Sequence, residues 1–486
     1  MQFVRSGAKS TEAPEGAEMR AVHKVVIAAS LGVSCAAGPR PIVPGPLDTE
    51  GEVYLQAHSL PEGARLSFQV ASIAAVGPDG VERPLQVLRP SLSQEELKDR
   101  PLIAWGRLPP GAYAGLRIKV SKASVAGPGG VRDLLVAPEP AHIETPFAVE
   151  RGQAIVLQLE LDSSQSIDRD LSGFAPVFTA SIPRKPLAPL SGWCSSGALH
   201  ELTVFDQRER AVAAVLPTGR SPWGIAYDPV QSRLYVSLEG EDEVQVFDAT
   251  VLKEVGRIRL QPGDGPRELA FSADRRLLMV ANGRSNTVSF VDPISMVELS
   301  RLQVGEAPTS ILLDRGGARA YVFNARSTFI SIIDVANRAV AGTIATEYGP
   351  LRGQFNRAGN KLYVVASSSS YLIAIALPTF SPAGRVYVGL GTTAIKVDPS
   401  TDLLYVAQAG TNRLAVFEPF SLLPVDHIDM PGDVSYMAID DAENTLFALV
   451  PQQRILVVVG LASKRRLGAI GVGYEPRLFA LAGERY

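Results

Sequence analysis

Residues 222–260 read PWGIAYDPVQSRLYVSLEGEDEVQVFDATVLKEVGRIRL, and this stretch decides the fold. Its apolar pattern predicts four short strands, at 223–227, 233–237, 243–247 and 254–260, separated by Asp-Pro, Gly and Asp turn signals. The unit then repeats. An acidic position at the end of the third strand falls in register at Asp206, Asp248, Asp292 and Asp334, followed by Ala376, Glu418 and Gly460, in steps of 42, 44, 42, 42, 42 and 42 residues. A second column, Trp193, Tyr235, Met279, Tyr321, Tyr363, Tyr405 and Phe447, is large and mostly aromatic. A third, Pro222, Pro266, Pro308, Pro350, Thr392, Val434 and Pro476, marks where each unit begins, since Pro suits the start of a strand and not its interior. One twisted four-stranded sheet cannot bury both faces alone, so seven such units predict a seven-bladed β-propeller.

Closure of the ring is also predicted. Residues 193–215 supply strands two, three and four of a blade with no first strand before them, and residues 476–482 align with the first-strand column. Three N-terminal strands plus one C-terminal strand complete that blade and remove two open sheet edges.

The segments Arg233-Leu-Tyr-Val-Ser237, Lys361-Leu-Tyr-Val-Val365 and Leu403-Leu-Tyr-Val-Ala407, each followed by a strand ending in Phe-Asp, Ile-Asp or Phe-Glu type pairs or their register equivalents, resemble the YVTN family of bacterial β-propeller repeats. The resemblance spans 193–486; Ala376 and Gly460 depart from the acidic column, and Thr392 and Val434 from the Pro column. It implies a fold and an extracytoplasmic setting rather than an activity, because propellers host many functions.

The front of the chain speaks to location. Met19-Arg20-Ala-Val-His23-Lys24 is basic, residues 25–33 are apolar, and Ser34-Cys35-Ala36-Ala37-Gly38 follows, the layout of a secretory signal starting at Met19. Leu31-Gly32-Val33-Ser34-Cys35 resembles a bacterial lipobox, with Gly32 where the consensus has Leu. Two readings follow, lipidation of Cys35 or an ordinary cleaved signal. Residues 1–35 are therefore the signal region and 36–48, with four prolines, an extended tether. With Cys35 lipidated or removed, Cys194 has no disulfide partner; it aligns with Val236 and Val280 and is expected to be a core residue.

Residues 49–182 form a separate β-domain by pattern. Leu66, Phe68 and Val70 share one face, as do Leu116, Ile118 and Val120, and Ile155, Leu157, Leu159 and Leu161. A short helix is expected near 91–98, with Ser93 as cap and Glu95 and Glu96 favouring the dipole. Leu108-Pro-Pro-Gly-Ala-Tyr113 and Leu116-Arg-Ile-Lys-Val120 resemble a domain of unknown function of secreted bacterial lipoproteins, which implies an immunoglobulin-like or prealbumin-like β-sandwich. Residues 183–192 are a Pro-rich linker to the propeller at 193–486.

The net charge of −3, with no basic stretch, gives no footprint for nucleic acid, and a membrane is met only through a lipid anchor. The histidines, His23, His58, His142, His200 and His427, are not spaced as metal pairs, and phosphate-loop, nucleophile-elbow and calcium-loop motifs are missing, so neither metal nor other cofactor is expected. Asp440, Asp441 and the acids of 239–242 are read as solvated turn residues.

What remains is one mouth of the ring. Just past the Pro column, Trp223, Arg267, Glu268, Arg352, Tyr436 and Arg477 gather at the start of the first strands. Guanidinium groups grip carboxylates and aromatics give flat apolar contact, so this mouth suits an anionic or carbohydrate-like ligand. Alternatively these side chains plug the channel and pair with Glu268 and loop carbonyls. Two function classes stand. One is a non-catalytic binding or scaffolding monomer for an envelope protein or polysaccharide. The other is a propeller enzyme, lactonase-like or dehydrogenase-like, which generally needs a metal or a His and carboxylate set; the mouth columns supply one acid, Glu268, and no His.

Overall fold

The computed structural model describes residues 49–59, 65–127, 130–272, 274 and 276–484. The signal-like segment, Cys35 and the tether lie outside the described residues.

From Ser191 onward the chain makes seven four-stranded antiparallel sheets. Six are continuous in sequence. The first of these holds Pro222–Asp228, Arg233–Leu238, Glu243–Asp248 and Lys253–Arg259, close to the expected strands. The remaining sheet is mixed: Ser191–Ser196, Glu201–Asp206 and Ala211–Pro217 are joined by Pro476–Leu481, which lies antiparallel to Ser191–Ser196 with Gly192 opposite Leu481 and Cys194 opposite Phe479. First strands of successive sheets pack side by side, and Pro476–Leu481 touches both Tyr436–Asp440 and Pro222–Asp228. We call the sheets the mixed blade and blades one to six.

The repeat columns now have physical roles. The acid after the third strand caps the next turn: Asp206 accepts the backbone N–H groups of Arg208 and Glu209, Asp248 those of Thr250 and Val251, and Glu418 those of Phe420 and Ser421. Each of these turns ends on a left-handed residue, Arg210, Leu252, Met296, Arg338, Phe380, Leu422 or Lys464, at φ of 49° to 57°. The large column, Trp193 through Phe447, is buried between blades. Adjacent blades are also tied by hydroxyls. Ser195 donates to the Trp223 carbonyl at 2.6 Å, Ser237 to that of Arg267, and Thr393 to that of Val434 at 2.5 Å. Cys194 is fully buried in the core, and burial pushes its thiol up.

Before the propeller, eleven strands among the described residues are joined by pairing, running from Gly173–Phe174 at one edge to Phe178–Ser181 at the other. Leu66, Phe68, Val70, Leu116, Ile118, Leu157, Leu159 and Leu161 turn into one apolar core. The short helix is Gln94–Leu97, with Ser93 and Glu96 forming a reciprocal capping box.

This domain docks on the mixed blade and blade six. Tyr54, Leu88, Trp105 and Val156 join one apolar cluster with Phe205, Val212, Phe447, Ile470 and Phe479. Gln158 donates to the Val212 carbonyl at 3.2 Å, Arg89 to that of Gln453 at 2.5 Å, and Arg466 pairs with Asp99. At the centre stand two carboxyl groups and one phenol. The Tyr54 hydroxyl donates to Glu52 at 2.8 Å, and Glu52 pairs with Arg107 at 3.3 Å. Glu201 of the propeller lies against the same hydroxyl, fully buried, with neither carboxyl oxygen hydrogen-bonded in good geometry. The phenol has one proton and Glu52 takes it at 2.8 Å, which leaves Glu201 the weaker share of that hydroxyl. Burial, with the nearby Glu52 charge adding to it and the Tyr54 hydroxyl opposing it, pushes Glu201 up to about 8. Gly473 makes room, since a Cβ there would lie 1.8 Å from the Glu201 carboxyl.

Two predictions follow from this packing. Glu201 is raised in the folded state, so its contribution is complete below the ordinary carboxyl value of 4.5 and is lost as pH rises through about 8. Melting curves from pH 5 to 9 are expected to show the parent falling relative to Glu201→Gln, which stays neutral; parallel profiles would refute the assignment. Deleting residues 476–486 removes the buried Leu478, Phe479 and Leu481, each contributing about 1.5–3 kcal/mol, and opens the ring. Calorimetry should show a melting temperature lower by ~10 °C or more.

Candidate functional site

The six residues expected at the proline mouth fall into two groups of mutual partners. Trp223, at the start of blade one, carries two guanidinium groups: Arg267 from blade two at 4.8 Å from its ring centroid and Arg477 from the mixed blade at 4.7 Å. The hydroxyl bonds of Ser195 and Ser237 fix the backbones of Trp223 and Arg267. Glycines in the neighbouring turns let the arginines lie flat. A Cβ at Gly283 would sit 2.9 Å from the Arg267 side chain, and one at Gly197 would sit 3.1 Å from that of Arg477.

A second group spans the channel. Arg352 of blade four lies 4.6 Å from the Tyr436 ring centroid of blade six and pairs with Glu268 of blade two at 3.2 Å. Arg352 and Glu268 are 17% and 14% exposed, so this ion pair is largely screened from water and its two charges depend on each other. Burial holds the Glu268 carboxyl above its usual range; the Arg352 charge and a Ser310 hydrogen bond work against that, and the Glu484 charge adds to it. Deeper still, Lys396 and Glu484 form a buried pair.

Each guanidinium of the mouth also has an acid. Arg267 meets Glu239 at 3.3 Å, and Arg477 meets Glu475 at 3.4 Å. Arg284 approaches Glu239 at 3.9 Å. Here the sequence reading needs correction. Glu239 is not a solvated turn acid; it is mostly buried and shared by two arginines, because the turn after the second strand folds over the mouth. Asp440 is likewise buried and caps the turn at Ala442 and Glu443. Lys396 and Glu484 were missed by sequence reasoning, although the Lys396 register holds Ala, Leu or Gln in the other blades and so marks an exception. Among the described residues no group of three His, Cys, Asp or Glu side chains is placed to hold a metal ion. His200 serves structure, its Nδ1 accepting the Ser221 N–H at 3.1 Å.

The mouth therefore offers two partly exposed guanidiniums beside an indole. Chemically it can take up a carboxylate or another flat anion in exchange for Glu239 or Glu475.

The Arg352–Glu268 pair can be measured. Arg352→Met leaves Glu268 without its counter-charge and is expected to cost about 3 kcal/mol in urea unfolding. Glu268→Gln in that background should recover part of the loss; simple additivity of the two substitutions would mean the pair is not coupled.

Comparison with known proteins gives a partial family match and a likeness of fold. The family described as Lactonase, 7-bladed beta-propeller matches residues 217–309, which span blades one and two. No match is found among curated proteins. Among solved structures, a functionally unknown protein from Desulfotomaculum acetoxidans DSM 771 aligns at 14% identity and a TM-score of 0.53, covering 60% of this chain and 98% of that one. Dihydro-heme d1 dehydrogenase NirN in complex with DHE aligns at 14% identity and a TM-score of 0.50, covering 62% of this chain and 78% of that one. At these identities the likeness is one of fold, and the chain is a seven-bladed β-propeller protein with a lactonase-type match in two of its blades.

Proposed function

We propose that this chain is a non-catalytic binding module of a bacterial cell envelope, exported by its signal segment and held at a membrane through a lipid on Cys35. On this reading the propeller is of the YVTN type, and the N-terminal body is an immunoglobulin-like or prealbumin-like sandwich braced against the seam of a ring closed by three strands plus one. The partner is an envelope protein or polysaccharide, or an anionic small ligand at the proline mouth, taken by the chain as a monomer. The observation that carries the reading is the indole of Trp223 with two guanidinium groups, those of Arg267 and Arg477, within 4.8 Å of its ring centroid. Partly exposed guanidiniums on an aromatic are positioned for bidentate contact with a carboxylate, and their acid partners sit at the long end of hydrogen-bond range.

A second reading, a lactonase-like enzyme acting on a small molecule at the same mouth, is favoured by the family match over blades one and two. It asks for a hydrolytic set that the mouth columns do not supply.

A thermal-shift screen of the mature protein against organic acids, divalent metals and envelope polysaccharides tests the proposal. A ligand at a hundredfold its dissociation constant should stabilise the protein by about 2.7 kcal/mol, and Arg267→Ala/Arg352→Ala/Arg477→Ala should abolish the shift. Turnover of a lactone by the parent protein would instead favour the enzyme reading.

A further inference from the structure

The opposite end of the channel differs from the proline mouth. There the downstream ends of the first strands of blades three to six surround a cleft of about 890 Å³, within the range of ~300–1,000 Å³ usual for small-molecule sites. Lys396, buried and paired with Glu484, is part of its lining.

The lining has unspent bonding capacity. Arg315 is exposed on the turn after the first strand of blade three, and its side chain makes no hydrogen bond or ion pair among the described residues. Gln354, half-buried at the end of the first strand of blade four, likewise has no side-chain partner among them. Arg357 is held in place rather than consumed: its backbone N–H goes to Asp402 at 2.6 Å and one guanidinium N–H to the Ser400 carbonyl at 3.0 Å. Asp402 and Asp441 face the cleft as acceptors, Asp441 taking the Ser400 hydroxyl at 3.2 Å. The Phe355 ring, met edge-on by Tyr321 with centroids 5.3 Å apart, supplies a flat apolar wall.

This set discriminates between ligand classes. A simple dicarboxylate would bring charge to Asp402 and Asp441 with no hydroxyl to donate to them, and a neutral sugar would leave the arginines unmatched. We propose that the cleft binds a hydroxyl-rich organic acid of the sugar-acid class, with its carboxylate on Arg315 and Arg357, its hydroxyls on Asp402, Asp441 and Gln354, and one ring face against Phe355. The proposal rests on the reading of the propeller as a binding module but not on the proline mouth.

Titration of the full chain with glucuronate, glucose and succinate, followed calorimetrically and by ligand-observed NMR so that weak binding registers, tests it. Glucuronate is expected to bind at least about tenfold more tightly than the other two probes. Arg315→Ala/Arg357→Ala, both on exposed turns, should lose that preference at an unchanged melting temperature, while Arg267→Ala/Arg477→Ala should keep it. Binding that survives Arg315→Ala/Arg357→Ala but is lost in Arg267→Ala/Arg477→Ala would overturn this inference and leave the proline-mouth reading standing. Glucuronate binding no better than glucose or succinate, or none, would overturn it as well.

Discussion

The ladder between Ser191–Ser196 and Pro476–Leu481 is the constraint on which the rest depends. It joins residues nearly three hundred positions apart in the chain, and without it the mixed blade and blade six would each present an unpaired face. Phe479 and Leu481 share an apolar cluster with Phe447 and Ile470, so pairing in the plane of the sheet and packing between sheets reinforce each other at one place. The N-terminal domain adds Tyr54, Trp105 and Val156 to that cluster, so the join is covered from outside the ring as well.

The ring was legible because it is periodic. Asp206, Asp248 and Asp292 recur for a local reason, the capping of a turn, and a local reason survives in sequence as spacing. The alternation of Leu66, Phe68 and Val70 was legible for the same kind of reason, since a strand with one buried face has period two. The candidate mouth was half legible. Register brought Trp223, Arg267 and Arg477 to one end of the channel, because first strands start together. Register could not show that Glu239 turns inward to meet Arg267 or that Glu475 reaches Arg477 from the surface, because turn acids in a propeller are free to point either way and only the backbone path decides. The Glu52–Tyr54–Glu201 group was not legible at all: its members come from two domains, and in sequence Glu52 and Tyr54 are ordinary strand residues.

The two ends of the channel illustrate how one scaffold can differ across its own thickness. At the proline mouth positive and negative groups are matched within the protein, and the arginines lie on aromatic rings. At the other end the cations are spread along turns, where Arg315 and Arg357 follow the first strands of blades three and four. At the Lys396 register the cleft meets Leu312, Gln354 and Lys396, and the last two supply its polar side. Small departures from the repeat thus do more to shape the molecule's chemistry than the repeat itself.

The mixed blade has a mechanical consequence. The strand Ser191–Ser196, by which the chain enters the ring from its N-terminal domain, is hydrogen-bonded on both sides, to Glu201–Asp206 and to Pro476–Leu481. A pull on the N-terminal side therefore reaches the propeller along a central strand and loads two ladders at once in shear, instead of peeling an edge strand one bond at a time. The docked domain shares that load through Gln158, Arg89 and Asp99. A protein pulled from its N-terminal side would resist extension at this mixed blade, where its first and last propeller strands meet.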